Sequence, residues 1–151
     1  MKVVFISTMF NAEEHLSELI NSVKEQHNTN WEHFIVDDMS TDNSYELTLK
    51  LTKGDDRFHV IKNKEKKWSL KNTIDIARRY ENYSNVIIAS LDADDALCNE
   101  NTVSLLLSAY SNSWLDSAWT NHVLDINGQN NSNSLPERID PYQYPWVSGH
   151  L

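Results

Sequence analysis

An α/β fold, a mostly parallel sheet flanked by helices, is what this sequence predicts, on three observations. Strand-like and helix-like segments alternate four times through the first 110 residues, the order that builds parallel βα units. The strand-like runs are continuously apolar, as in strands covered on both faces. Two acidic clusters, Asp37-Asp38 and Asp92-Ala93-Asp94-Asp95, each follow such a run directly. In sheets of this type the ligand crevice lies beyond the carboxyl ends of the strands. Both clusters are therefore expected to line one crevice.

Each element has its own justification. Val3-Val4-Phe5-Ile6 is a β-branched and aromatic run and reads as the first strand. Residues 13–26 read as a helix, because Leu16, Leu19, Ile20 and Val23 share one face and acidic residues at its start suit the helix dipole. His33-Phe34-Ile35-Val36 is a second strand, ending at Asp37-Asp38. Residues 39–43 carry turn and cap chemistry, and a helix follows to about Leu51. Phe58-His59-Val60-Ile61 is a third strand. Residues 69–79 form a helix with Leu70, Ile74 and Ala77 on its inner side. Residues 86–91 are the clearest buried strand, and Val103, Leu106, Leu107 and Tyr110 mark a further helix. Beyond it, residues 118–120 and 122–125 read as short strands, Asn127-Gly128 as a turn and residues 130–134 as a polar loop. Nothing splits the chain, so residues 1–151 are expected to form a single domain.

Composition narrows the function. The chain carries a formal net charge of -9, which argues against a nucleic-acid-binding module, since that needs a basic face. One cysteine, Cys98, excludes an internal disulfide and an all-cysteine zinc site. The six histidines show no zinc-like spacing. No segment reaches the ~18 apolar residues of a membrane span, and the expected compartment is the cytoplasm. Three glycines, Gly54, Gly128 and Gly149, leave no phosphate-binding glycine loop or dinucleotide fingerprint.

The acidic clusters carry the chemistry. Carboxylates converging at strand ends repel unless a cation or hydrogen-bond donors join them. Hard divalent ions, Mn2+ or Mg2+, take oxygen ligands and are commonly held by one or two carboxylates plus a substrate diphosphate. The spacing Asp92-x-Asp94 lets one carboxylate face the metal while its neighbour faces sugar or ribose hydroxyls. A turn-and-cap role is the competing reading, and it is preferred for Asp42, in Thr41-Asp42-Asn43-Ser44. The run Lys62, Lys64, Lys66 and Lys67 is a solvated loop or helps to neutralise a diphosphate.

Three segments resemble the GT-A glycosyltransferases of family 2 over residues 1 to about 110. Residues 6–16, from Ile6-Ser7-Thr8-Met9-Phe10-Asn11 to Leu16, are similar to that family's first strand and turn. Phe34-Ile35-Val36-Asp37-Asp38-Met39-Ser40-Thr41-Asp42 is similar to its second-strand signature, and Ser90-Leu91-Asp92-Ala93-Asp94-Asp95 to its DxD motif. The resemblance implies a GT-A, Rossmann-like fold and an inverting transfer from a nucleotide-diphosphate sugar, UDP-linked by preference, to a hydroxyl acceptor. It puts Thr8 and Asn11 at the nucleoside, Asp38 at the uracil ring, Asp92 at the ribose or sugar, and Asp94 at the metal with Asp95 close by. Asp38→Ala is then expected to weaken UDP binding and leave the fold intact. Asn72 stands where the family has an Asn opening the helix before the DxD strand. The usual glycine ahead of it is absent; the segment reads Lys66-Lys67-Trp68-Ser69. Trp68 bears on donor preference or simply caps the core.

The tail, residues 144–151, resembles a segment after which family members continue into the acceptor portion that carries the general base. The chain is therefore expected to bind donor while lacking that portion, with Asp116, Asp125, Glu137 and Asp140 unassigned and Trp114, Trp119, Trp146 and His150 as minor candidates. A nucleotide-sugar-binding module without catalysis is the alternative. A phospho-acceptor receiver domain is disfavoured, because Thr8-Met9-Phe10-Asn11 stands where its acidic pair would be. The sequence assigns no acceptor, whether saccharide, lipid-linked or protein, and no oligomeric state.

Overall fold

The computed structural model describes residues 1–111 and the backbone of 122–126 and 129–133. The chain divides into two compact units, Met1–Ser113 and Trp114–Leu151. In the first unit the elements run β1 (Lys2–Met9), α1 (Leu16–Lys24), β2 (Trp31–Asp37), α2 (Ser44–Leu51), β3 (Phe58–Lys62), α3 (Trp68–Ala77), a 3-10 turn (Arg78–Tyr80), β4 (Val86–Ser90) and α4 (Thr102–Ser111). The four strands form one parallel sheet in the order β3-β2-β1-β4. Chain order reverses direction between β1 and β4, which is where α/β sheets open a ligand crevice.

Alternation along β1 fills two cores. Val3 and Phe5 pack with Leu16, Leu19, Ile20 and Val23 of α1, with Trp31 and with Val103 of α4. Val4 and Ile6 point the other way, toward Phe34, Val36 and Ile76 of α3. Successive strand side chains leave opposite faces, so a wholly apolar strand is what a sheet covered on both faces requires.

Four boundaries or faces differ from the sequence reading. Helix α1 begins at Leu16 rather than residue 13, because Glu13 is engaged elsewhere: its carboxylate accepts from the backbone and side-chain amides of Asn43. The inner residues of α3 are Asn72 and Ile76, while Leu70 is 71% exposed. A polar anchor at Asn72 sets the helix rotation there. Among the described residues strand β4 is a terminal strand of its sheet, with only Ile87 of it buried and Ile88 37% exposed. In the second unit, β5 (His122–Ile126) pairs antiparallel with β6 (Gln129–Asn133). The segment read as a loop from residue 130 is thus mostly strand. Residues 118–120, the 127–128 turn, and the side chains of Trp114, Asp116, Trp119, His122, Asp125, Glu137, Asp140, Trp146 and His150 lie outside the described residues.

Candidate nucleotide-sugar site

The strand ends stand level with one another: Met9 pairs with Asp37, and Asp37 with Lys62. On this carboxyl-end rim the loops after β1 and β2 are laced together. Asn11 donates its N–H to Ser40 Oγ at 3.0 Å, and its side-chain carbonyl accepts from the Thr41 N–H at 2.8 Å. The Ala12 N–H donates to Ser44 Oγ at 2.9 Å. Asp42 accepts from the Ser44 N–H and hydroxyl and from the Glu13 N–H, the turn chemistry expected of it. A hollow of about 500 Å³ opens here, lined by Asn11, Glu13, Glu14, His15 and Asp42.

Asp38 sits one residue beyond β2 and is 2% exposed. Its Oδ1 accepts from Asn63 Nδ2 at 2.7 Å and from the Lys67 N–H at 2.9 Å; its Oδ2 accepts from the Trp68 N–H at 2.8 Å. Burial alone would raise its pKa. The Lys67 N–H, the Asn63 amide and the Trp68 N–H outweigh burial and hold the carboxyl below its ordinary value. Asn63 Nδ2 also donates to Asn72 Oδ1 at 2.8 Å. Asp38 and Asn72, both buried, and the half-buried Asn63 therefore form one chain of hydrogen bonds that positions the loop from β3 to α3. These contacts give Asp38 a structural role, so Asp38→Ala is expected to cost stability beside any effect on UDP binding. Asn63 was not singled out from the sequence; its signal was its place, the first residue past β3.

Backbone strain gathers on the same rim. The described non-glycine residues with left-handed φ are Asn11 (52°), Met39 (71°) and Trp68 (67°). They lie past β1, past β2 and at the first residue of α3. Asparagine tolerates this region; a methionine or tryptophan there is uncommon and costs about 1–2 kcal/mol. Two buried polar atoms on this rim, Thr8 Oγ1 and Asp37 Oδ2, have no hydrogen-bond partner among the described residues, so each keeps bonding capacity in hand. Trp68 does not cap the core. Its side chain is 70% exposed. Lys66 Nζ lies 3.0 Å from the Phe10 ring centroid and 5.2 Å from that of Trp68.

Across β1 from Asp38, β4 leads into the second acidic cluster. The Leu91 N–H donates to Ile6 O at 3.1 Å, and the Ser7 hydroxyl donates to Leu91 O, which fixes the approach to Asp92 against β1. The Asp95 N–H closes a turn onto Asp92 O at 3.0 Å, and Asp92, Asp94 and Asp95 are exposed. Among the described residues no three His, Cys, Asp or Glu side chains converge to hold a metal, and Asp38 is engaged by its own donors. The cluster instead offers oxygen ligands alone on an open turn. That donor set fits a hard divalent ion completed by a diphosphate.

The profile of glycosyl transferase family 2 matches residues 4–147. The chain belongs to glycosyl transferase family 2. It is 32% identical over 95 residues to the putative teichuronic acid biosynthesis glycosyltransferase TuaG of Bacillus subtilis (strain 168), covering 62% of this chain and 36% of TuaG. Solved structures support the fold. The S. aureus TarS 1-349 structure in complex with UDP-GlcNAc superposes with a TM-score of 0.61 at 22% identity, over 74% of this chain and 31% of that chain. The mannosyltransferase PcManGT from Pyrobaculum calidifontis, in complex with GDP-Man and Mn2+, superposes with a TM-score of 0.59 at 21% identity, over 77% of this chain and 32% of that one. This family-2 chain thus spans about a third of the length of TuaG and of each of these two solved chains. No helix among the described residues is long and apolar enough to cross a membrane.

Proposed function

We propose that this family-2 chain binds a nucleotide-diphosphate sugar, a UDP-sugar by preference, with Mn2+ or Mg2+, and serves inverting transfer of the sugar to a hydroxyl acceptor. The observation that carries this reading is the placement of the open Asp92–Asp95 turn and the Asp38 loop on either side of β1, at the carboxyl ends of a parallel sheet. A nucleotide laid across that rim has its diphosphate at Asp92 and Asp94 and its nucleoside at Thr8, Asn11 and the loop that Asp38 and Asn72 organise. Asp94, with Asp92 and Asp95 beside it, would hold the ion. When bound, the ion offsets the charge that develops on the departing diphosphate. The complexes of TarS with UDP-GlcNAc and of PcManGT with GDP-Man and Mn2+ favour a nucleotide-sugar donor and a divalent ion.

Calorimetry of UDP with and without Mn2+ tests the reading. Mn2+ is expected to tighten UDP binding by roughly tenfold or more, as a charge-assisted contact does. Asp94→Ala removes that gain. Equal affinity in EDTA, or unchanged affinity in Asp94→Ala, overturns it.

A further inference from the structure

Trp68 is expensive on two counts. Its backbone holds a left-handed φ of 67°, which glycine would adopt freely. Its side chain, the largest available, is 70% exposed and covers no core. Neither burial nor backbone comfort explains a tryptophan there. Strain of this kind persists where the surroundings over-determine it, and such places are often ligand clamps. Here the surroundings are Asp38, which fixes the N–H groups of Lys67 and Trp68 from below, and the Asn63–Asn72 pair behind it.

Phe10 provides the second half of the argument. It follows β1 directly and is 49% exposed. One ammonium, Lys66 Nζ, stands 3.0 Å from its ring centroid and 5.2 Å from that of Trp68. The two centroids can be no further apart than those two distances together, so both rings border one small space. A flat ring can use that space, since aromatic faces stack on any planar base. The Lys66 stem is flexible enough to swing aside.

We propose that Trp68 and Phe10 form an aromatic clamp for the base of the donor nucleotide, with Trp68 a specificity-determining wall aimed by Asp38. The inference rests on the nucleotide-sugar reading above. Topology favours the base over the donor's sugar as occupant. The Trp68 N–H is held by Asp38 past the end of β2, and the ends of β2 and of β4, beside Asp92, are two strand spacings apart, roughly 10 Å. The sugar belongs with the diphosphate at the far end.

The test is Trp68→Gly beside Trp68→Phe, each titrated calorimetrically with uridine, with UDP plus Mn2+ and with pyrophosphate plus Mn2+. Glycine suits the left-handed backbone, so Trp68→Gly is expected to melt no lower than the wild type while binding uridine and UDP about tenfold more weakly. Trp68→Phe keeps a ring and most of the affinity. Pyrophosphate binding is the same in all three proteins. Undiminished UDP affinity in Trp68→Gly, or equal losses in both variants, overturns the clamp alone. A wild-type chain that binds none of the three ligands overturns the nucleotide-sugar reading and the clamp with it.

Discussion

At the rim where the strands begin, the left-handed position is filled by a glycine, Gly54, in the turn from α2 to β3; where the strands end, Asn11, Met39 and Trp68 fill such positions. The side chains differ in the same sense. At the strand-start rim Glu32 is fully engaged, by Lys2, by the Tyr80 hydroxyl at 2.7 Å and by His59 at 3.4 Å. Burial opposes its charge, yet the Lys2 and Tyr80 contacts prevail and lower its pKa. The larger hollow, about 580 Å³ and lined by Lys2, Glu32, Tyr80 and Tyr83 among others, also lies there. Size therefore points to the rim opposite the one that topology favours. The relaxed, hydrogen-bonded rim looks built for stability. Unpartnered polar atoms and exposed rings occur at both rims, with Trp31 Nε1 and Tyr83 at the strand starts; left-handed backbone at non-glycine residues marks the strand-end rim, the one that topology assigns to a ligand.

Three changes break or sharpen this contrast. The largest effect is expected from Asp38→Ala, which leaves the Lys67 and Trp68 N–H groups without their acceptor. Denaturant unfolding should show a loss of about 3 kcal/mol, with weaker UDP binding alongside. Full stability in the variant would mean that the β3–α3 loop does not depend on this carboxylate.

The second test lies between the rims, in the middle of β2. His33 is fully buried, and burial pushes its pKa down to about 3. The Ser7 hydroxyl donates to Leu91 O, so His33 Nε2, 2.8 Å from Ser7 Oγ, must be the donor in that pair. The folded state thus holds a neutral ring and binds fewer protons than the unfolded chain. Its contribution is complete above the unfolded pKa near 6.5 and is lost as pH falls toward 3. Between pH 7 and pH 5 that amounts to about 2 kcal/mol. Thermal melts of the wild type and His33→Phe at both pH values should show this slope in the wild type only. An equal slope in the variant would assign it to other groups.

The smallest effect is expected from Gly54→Ala. Nothing lies within 4 Å of an added Cβ there, and φ is +83°, so only backbone strain is introduced. A loss of about 1 kcal/mol in stability, with UDP affinity unchanged, would separate this rim from the other. A change in UDP affinity would undo the division between them.

The sheet was legible because its strands are covered on both faces and its helices show one apolar side. The misread parts share a cause: polar groups did the organising. Nothing apolar marks Gln129–Asn133, so β6 left no hydrophobic pattern to find. Leu70 looked internal because the anchor of α3 is Asn72. Trp68 looked like a candidate core residue because size suggests burial, whereas its place is set by two backbone N–H groups meeting one carboxylate. The positions of Asp38 and Asp92–Asp95 past strand ends could be read from order alone. That Asp38 faces inward and the others outward depends on donors, such as Asn63, that are distant in sequence.

The lacing between residues 11–13 and 40–44 has a consequence for engineering and for descent. Each loop supplies the other's hydrogen-bond partners: Asn11 serves Thr41, Ser40 serves Asn11, Ser44 serves Ala12, Asp42 serves Glu13 and Glu13 serves Asn43. Neither loop is a separate module. A transplant of either loop between relatives would have to move both segments as one cassette, and a recombination point between them would deliver a chimera with each half missing its counterpart.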